Sequence, residues 1–470
     1  MRFNAAALKF VIPAFVILLL SVSAAYPYNS SSLKSVSFIS SSSNSFLYNP
    51  QKDTLEKKEL SVRVDSIVIY GNKVTDPEVI TQELTFGKGS YVTEKILDYN
   101  RERVYSLGLF TNVNIFPVFR DSITLIVINL KESWYIWPIP ILDIKDNMIK
   151  RTTYGVDLQF KNFRGKNETL NLNAAFGYDP NLGISYYRPW LIRDENIFLS
   201  LDLYYRNPIN KSLKAERLYG ESFNQKIYTG TLMIGKRLNL FNVGGIYAGY
   251  DYVETPKYVP GISASEGRID RVLRAGLSYT YDSRNLKQFP DSGLYAGATF
   301  EERGFGLNNI NYSAMKLDLR SYYRILGDLT GKWRLATRAT MGPNVPYYDY
   351  SLLGSGEKVR GHFNDIREGH YFYLASAELK YPIIKEWNFS IKLPLIPSQL
   401  TTYRIEIFTN IFGDTGAVQQ KNTKLGLRDF YSGYGAGLTF LLLPYNIFRL
   451  EYALNELRQG ELLFGFGFSF

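Results

Sequence analysis

From Ser133 to the C-terminus the chain alternates apolar and polar positions in segments of about 9 to 12 residues, the length a tilted membrane strand needs. Ile197, Leu199, Leu201 and Leu203 fall on one face of such a segment, Ser200, Asp202 and Tyr204 on the other. Met315, Leu317 and Leu319 oppose Lys316, Asp318 and Arg320 in the same way, and Phe448, Leu450, Tyr452 and Leu454 oppose Arg449, Glu451 and Asn455. Segments begin near Ser133, Thr152, Glu168, Leu182, Ile197, Asn224, Asn242, Arg271, Gly293, Asn311, Lys332, His370, Trp387, Tyr403, Tyr434 and Ile447, with a last run from Leu462 to Phe470. The Trp387 segment runs into Lys392, Pro394 and Pro397 and reads as part of a loop. The rest form an even set, and the pattern predicts a mainly β chain whose residues 133–470 make a 16-stranded antiparallel transmembrane β-barrel. The apolar face meets lipid and the charged face lines a wet lumen. No later stretch approaches 18 consecutive apolar residues, which excludes transmembrane helices there.

Upstream, between residues 59 and 132, the period changes. Val62 to Tyr70 alternates as a short strand ending at Gly71-Asn72. Thr75 is placed to N-cap a helix carrying Asp76, Pro77 and Glu78 in its first turn and Val79, Ile80 and Leu84 on its apolar side. Thr93 is placed to cap a second helix with Ile96, Leu97, Asn100, Val104 and Leu107, stopped by Gly108. Two β-rich runs follow, Phe110 to Phe119 and Ser122 to Leu130. The module is a small α+β domain in the order strand, helix, helix, strand, strand.

The first 25 residues carry Arg2 and Lys9, an apolar run from Phe10 to Leu20, and small residues up to Ala25, the pattern of a secretory signal peptide. Residues 26–58 are rich in Ser and have no sustained period, as a flexible tether does. The 470 residues hold 54 Lys and Arg against 44 Asp and Glu, a net +10 that falls to 10 − 2 = +8 once the first 25 residues are removed. So small and dispersed an excess does not point to nucleic acid. Tyr (37), Phe (30) and Gly (37) favour strands, turns and interfacial rings over a helical protein. The mean hydropathy of −0.16 suits either a soluble globule or a barrel with a polar lumen, so periodicity carries the decision.

Cys is absent, so thiol catalysis, disulfides and zinc-thiolate sites are excluded. No Gly-x-Ser-x-Gly elbow occurs, and Ser355, between Gly354 and Gly356, lacks the spacing of a phosphate-binding loop. His362 and His370 flank Asp365 and Glu368 in a loop, a pattern more typical of solvated or structural histidines than of a metal site. The expectation is a protein with no catalytic residue, no cofactor and no metal.

Within the α+β module, Ile69-Tyr70-Gly71-Asn72, Thr75, the Leu84 helix, and Val104 to Phe110 with Gly108 resemble a POTRA domain of the outer-membrane assembly and translocation proteins. In the barrel, Tyr281-Asp282-Ser283-Arg284 followed by Phe289-Pro290, Ser292 and Gly293 resembles the aspartate, arginine and Pro-x-x-Gly turn of the BamA and TamA type, the bacterial surface antigen barrel. Val359-Arg360-Gly361-His362 resembles the family's Val-Arg-Gly-aromatic motif, with His362 where Phe or Tyr is usual, and Phe412-Gly413-Asp414-Thr415-Gly416 resembles the wall motif that receives it. Phe464, Phe466, Phe468 and Phe470 are similar to the terminal signal by which outer-membrane barrels are recognised. Parity agrees independently of the family: Arg404, Glu406, Asn410 and Asp414 share one face of their segment while Ile405, Ile407 and Ile411 share the other. Asp414 is therefore expected to face the lumen and to pair with Arg360.

The resemblance implies an outer-membrane location with the POTRA domain in the periplasm. It implies a role in inserting barrel proteins or passing a polypeptide across the membrane, without chemistry. Its partners would be outer-membrane lipid, unfolded outer-membrane protein clients bound by β-augmentation, and a periplasmic lipoprotein or inner-membrane partner at the POTRA domain. Trp137-Pro138 and Pro140 remove ladder donors from the first barrel strand, and Gly465 and Gly467 loosen the last, so the seam between them is expected to open. A dedicated translocator of the two-partner secretion type and a passive porin-like channel share the strand pattern and stay open as readings.

Overall fold

Tertiary packing divides the first predicted strand in two. In the computed structural model, which describes residues 61–144, 152–363, 365–391, 394, 397, 399–444 and 446–466, β1 is Val62–Arg63 and β2 is Ser66–Tyr70. The Asp65 side chain between them accepts a hydrogen bond from the Thr124 amide at 2.8 Å. β1 pairs with β3 (Tyr91–Val92), whereas β2 joins β4 (Phe110–Arg120) and β5 (Ile123–Glu132) in a sheet ordered β2-β5-β4, parallel between β2 and β5. Helices α1 (Pro77–Thr81) and α2 (Glu94–Tyr105) complete the domain.

One expected cap is corrected and the other holds its position without a capping bond. Asp76, not Thr75, holds the N-cap position of α1, and α1 ends before Leu84. The Thr75 hydroxyl instead donates to Glu132 at 2.7 Å and meets the Tyr135 hydroxyl at 2.9 Å, because tertiary partners outcompete the helix end. Thr93 stands at the N-cap of α2, but its side chain makes no capping bond.

The barrel strands are β6 (Ile136–Ile144), β7 (Thr152–Phe163), β8 (Glu168–Gly177), β9 (Asn181–Ile192), β10 (Ile197–Arg206), β11 (Lys226–Arg237), β12 (Asn242–Glu254), β13 (Ile269–Asp282), β14 (Gly293–Arg303), β15 (Tyr312–Leu326) and β16 (Leu329–Met341). A small hairpin, β17 (Ser351–Leu353) with β18 (Arg367–Gly369), interrupts the series. The wall resumes with β19 (Tyr371–Ser390), β20 (Thr402–Gln419), β21 (Tyr431–Leu443), β22 (Asn446–Asn455) and β23 (Gly460–Phe466). Sixteen strands pair antiparallel in one sheet running from β6 to β23. The Trp387 segment is not a loop: it continues β19, where Trp387 pairs with Ile405 beyond register shifts at Pro382 and Ile384. A strand carrying a proline survives there because the bulges absorb the missing donor.

The wall alternates as its sequence does. Arg334, Lys332, Glu378, Lys380, Asn410 and Asp414 are buried on the inner face, while Leu277, Ile246 and Ile411 stand exposed on the outer one. Between β10 and β11, helix α3 (Leu213–Tyr219) is capped by Ser212 and ended by Gly220 at φ +86°. Its Tyr219, together with Phe223 just beyond the helix, packs on Tyr347 and Tyr350 of the loop preceding β17. The expected signal peptide, the tether and the terminal Phe468 and Phe470 lie outside the described residues, as does the Phe466 side chain.

Candidate functional site

The β19–β20 register sets Ser376 opposite Asp414, Glu378 opposite Phe412 and Leu374 opposite Gly416; β20–β21 sets Asp414 opposite Gly433 and Phe412 opposite Gly435. Paired residues share a face, so these side chains form one patch on the lumenal wall. The loop between β16 and β19 descends onto it. Val359 is fully buried among Leu353, Leu374 and Tyr431. Arg360 donates from Nε to Asp414 Oδ2 at 2.7 Å and from Nη2 to Oδ1 at 2.8 Å, and its backbone amide adds a third bond at 3.1 Å.

The expected single ion pair is a cluster. Arg360 Nη1 also reaches Glu378 at 3.2 Å and Glu451 at 3.0 Å, and Ser376 donates to Asp414. The guanidinium carbon lies 3.6 Å from the Phe412 ring centroid, so the wall motif supplies a cation–π face as well as a carboxylate. Lys332, 3.6 Å from Glu378, adds a second cation to this buried group. Such density is tolerated because each charge has opposite charges and hydrogen bonds around it.

Close approach makes two glycines necessary. A Cβ at Gly433 would stand 1.7 Å from the Arg360 carbonyl oxygen, so any side chain there would push the loop off the wall. Gly361 turns the chain away at φ +93°. His362 then meets Glu456 at 2.7 Å and the edge of Tyr431, which gives the substituted aromatic position a polar partner in the turn after β22. Glu357 makes a second anchor, contacting Arg334 at 2.9 Å and Lys316 at 3.1 Å.

At the opposite end the α+β domain is seated on the barrel. Glu102 on α2 receives Arg404 of β20 through both oxygens at 3.0 Å, and Arg101 reaches Glu386 at 3.1 Å. Glu83 joins Arg103 at 2.7 Å to Arg237 at 2.9 Å. Asp76 donates its amide to Gly165, and the Trp190 indole donates to Gln82 at 2.9 Å. Val104, Leu109 and Phe110 share one core with Leu286, Phe289, Leu441 and Ile447. In the linker beneath, burial pushes the Tyr135 hydroxyl up to about 12, against the pull of its Thr75 hydrogen bond and with the help of the Glu132 charge.

Residues 162–470 match the Omp85 superfamily domain, and residues 62–133 match the surface antigen variable number repeat, the POTRA module. The chain belongs to the Omp85 superfamily. It is thus an outer-membrane protein with a POTRA domain ahead of a 16-stranded Omp85 barrel. BamA from Haemophilus ducreyi lacking POTRA domains 1–3 is similar in fold, at a TM-score of 0.51 and 17% identity over 86% of this chain and 84% of that one. CdiB from Escherichia coli is similar at a TM-score of 0.51 and 11% identity, over 86% of this chain and 75% of that one. No curated protein matches the chain in sequence.

The remaining motif residues of this Omp85 chain are distributed between the two ends. Asp282 and Arg284 pair with each other at 2.8 and 2.9 Å where β13 ends, and Gly293, at φ +107°, opens β14 against the Ser283 carbonyl. Pro290 lies in the turn between them. Gly416 sits against Val359, where a Cβ would meet its methyl at 2.8 Å. In the POTRA domain Gly71 turns at φ +91° beside Leu130, Asn72 donates to the Thr75 carbonyl at 3.1 Å, Gly108 turns at φ +68° after α2, and Phe110 is wholly buried. Sequence reasoning missed Glu378, Glu451 and Gly433 of the lock, and Glu102, Arg404, Glu83 and Arg237 of the seat. Gly433, Gly435 and Gly437 alternate along one inner face of β21, a legible signal for a wall that something approaches closely. Nothing in the local sequence marks Glu102.

Proposed function

We propose that this protein inserts barrel clients into the outer membrane in the manner of a BamA-type assembly factor, with its POTRA domain in the periplasm. Client strands bind by β-augmentation, and the barrel opens laterally. One observation carries the reading. Among the described residues β6 and β23 are the terminal strands of the sheet order with no pairing between them, the loop tip is tied to the lumenal wall through Arg360, and the POTRA domain packs on the barrel end. A client strand would have an edge to template on, which favours lateral insertion over axial passage. In the POTRA sheet β4 is an edge strand with Phe116 and Phe119 exposed, which suits capture of an extended segment. The work needs no cofactor and no covalent step: insertion exchanges unpaired backbone groups for ladder bonds.

The test uses the absence of native Cys. Cysteine pairs across β6 and β23, scanned around Ile139 and Leu462, are introduced into the full chain in liposomes, and folding of a urea-denatured outer-membrane barrel is followed. Oxidation should stop client insertion and reduction should restore it. Undiminished insertion with the crosslink verified overturns lateral opening. If pairs tying the Val359–Gly361 tip to the wall block transport of a secreted polypeptide while seam crosslinks do not, the translocator reading replaces this one. A large and stable conductance would favour the porin-like channel.

A further inference from the structure

Lys380 is buried on the inner face of β19, yet its hydrogen bond runs to a backbone oxygen, that of Pro290, at 2.5 Å. Its ammonium also lies 3.7 Å from the centroid of Phe289 and 5.5 Å from that of Phe408, whose rings are 4.7 Å apart. An ammonium held away from bulk water is costly unless its setting returns the lost hydration. Here the setting is the turn between β13 and β14.

That turn folds inward and is held from two sides. From within, the Asn285 side chain accepts from the amides of Asp291 and Ser292 at 3.2 Å and donates to Asp291 at 2.7 Å. From the POTRA side, the Ser106 hydroxyl at the end of α2 accepts from the Lys287 amide at 2.9 Å and shares its one hydrogen between the Glu102 carbonyl at 2.8 Å and the Asn285 carbonyl at 3.1 Å. Gln288 donates to the Ser106 carbonyl at 3.0 Å, and Tyr99 donates to the Ser283 carbonyl at 2.9 Å. Leu286 and Phe289 enter the POTRA core alongside Val104, Leu109 and Phe110. Two residues from Lys380 on the same face of β19, Glu378 holds Arg360.

We propose that the turn 283–292 is a latch between the lumenal wall and the POTRA domain, and that Lys380 is its positioning residue. Lys380 holds the turn in the shape that α2 recognises; when the POTRA domain leaves its seat, Phe289 loses its contacts with the POTRA core and the turn is freed from the ammonium. Loop lock and POTRA seat thereby share strand β19. The inference concerns a contact inside the chain and does not rest on the seam opening, so the seam test can fail while this one succeeds.

The test is thiol accessibility in the full chain in outer-membrane vesicles. Gln288→Cys reports on the latch, and Asn162→Cys, a buried residue bonded to Thr75 across the seat, is the control. Lys380→Met is expected to raise maleimide labelling at the latch reporter about tenfold through local opening, with less than about a twofold change at the control. Lys380→Arg keeps a cation and a donor and is expected to label slowly. Electrophoresis of unboiled samples checks that each barrel is folded. If Lys380→Met does not assemble, Phe289→Leu removes the ring instead and should raise latch labelling in the same direction. Unchanged labelling in folded barrels, or an equal rise at both reporters, overturns the proposal.

Discussion

Arg404 and Glu102 meet through both carboxylate oxygens at 3.0 Å although 302 positions separate them, tying the POTRA helix α2 to the end of barrel strand β20. Glu406 at 2.7 Å flanks the arginine on its own strand. The pair is buried and is the link across the interface; without it Arg404 keeps Glu406 and Glu102 keeps Arg101 at 2.9 Å, each on its own side.

Breaking that pair should unseat the POTRA domain. Arg404→Ala and Glu102→Ala should each speed protease cleavage near the linker at Ser133 to Tyr135, with a cost of about 1.5 to 3 kcal/mol to the seat, the worth of a charged hydrogen-bonded contact. The double variant should cost far less than the sum. Additive effects in a proteolysis-based cycle would mean that the contact is not energetically linked.

Arg360→Ala and Asp414→Ala should each destabilise the barrel by about 3 to 5 kcal/mol and release the loop, again with strong non-additivity. Arg360→Lys should recover little, since an ammonium cannot pair side-on with Asp414 while reaching Glu378 and Glu451. Denaturant unfolding of the purified barrel measures both. Full recovery by Lys would show that charge alone suffices.

Gly433→Ala should displace the loop without altering any charge, because its methyl would overlap the Arg360 carbonyl. The expected phenotype is that of Arg360→Ala in a barrel that still runs as folded when unboiled. A wild-type loop, judged by protease resistance around residues 355–363, would show that the wall yields at β21.

Mild acid should loosen the loop end near His370. Burial lowers the pKa of this imidazole below its ordinary 6.5; a hydrogen bond with Gln420 opposes the shift, and Lys421 and Lys214 reinforce it. Its Nδ1 accepts from the Lys421 amide at 3.2 Å, which requires the neutral ring. The folded state therefore binds fewer protons than the unfolded one. The contribution is complete above pH 6.5 and is lost as pH falls through the lowered folded value. His370→Gln should flatten this dependence in hydrogen exchange of residues 419–423; an unchanged profile would assign it elsewhere.

A photo-crosslinker at Phe116 or Phe119, exposed beside the β4 edge, should capture an unfolded barrel client, whereas one at buried Ile128 should not. Equal capture at all three positions would reduce the interaction to nonspecific adhesion.

Although the split of the first POTRA strand and the short β3 were not, the strand period, the sixteen-strand architecture, the two helices and the closing strand pair of the POTRA domain, and the lumenal side of Asp414 were legible in the sequence. Each depends on which way successive Cβ atoms point or on turn chemistry, and both are local. The Arg360–Asp414 contact was accessible through motif resemblance joined to parity. Tertiary structure alone decided the rest. Thr75 looked like a cap and became a ligand of Glu132; Trp387 looked like loop and extended β19 across bulges. Glu378 and Glu451 joined Arg360 because barrel curvature brings β19 and β22 around the same loop tip. Glu102, Ser106 and Lys380 acquired partners from segments distant in the chain. A helix face, a polar turn and a charged strand position look ordinary one at a time, and only closure of the fold removes their water and forces them to satisfy one another.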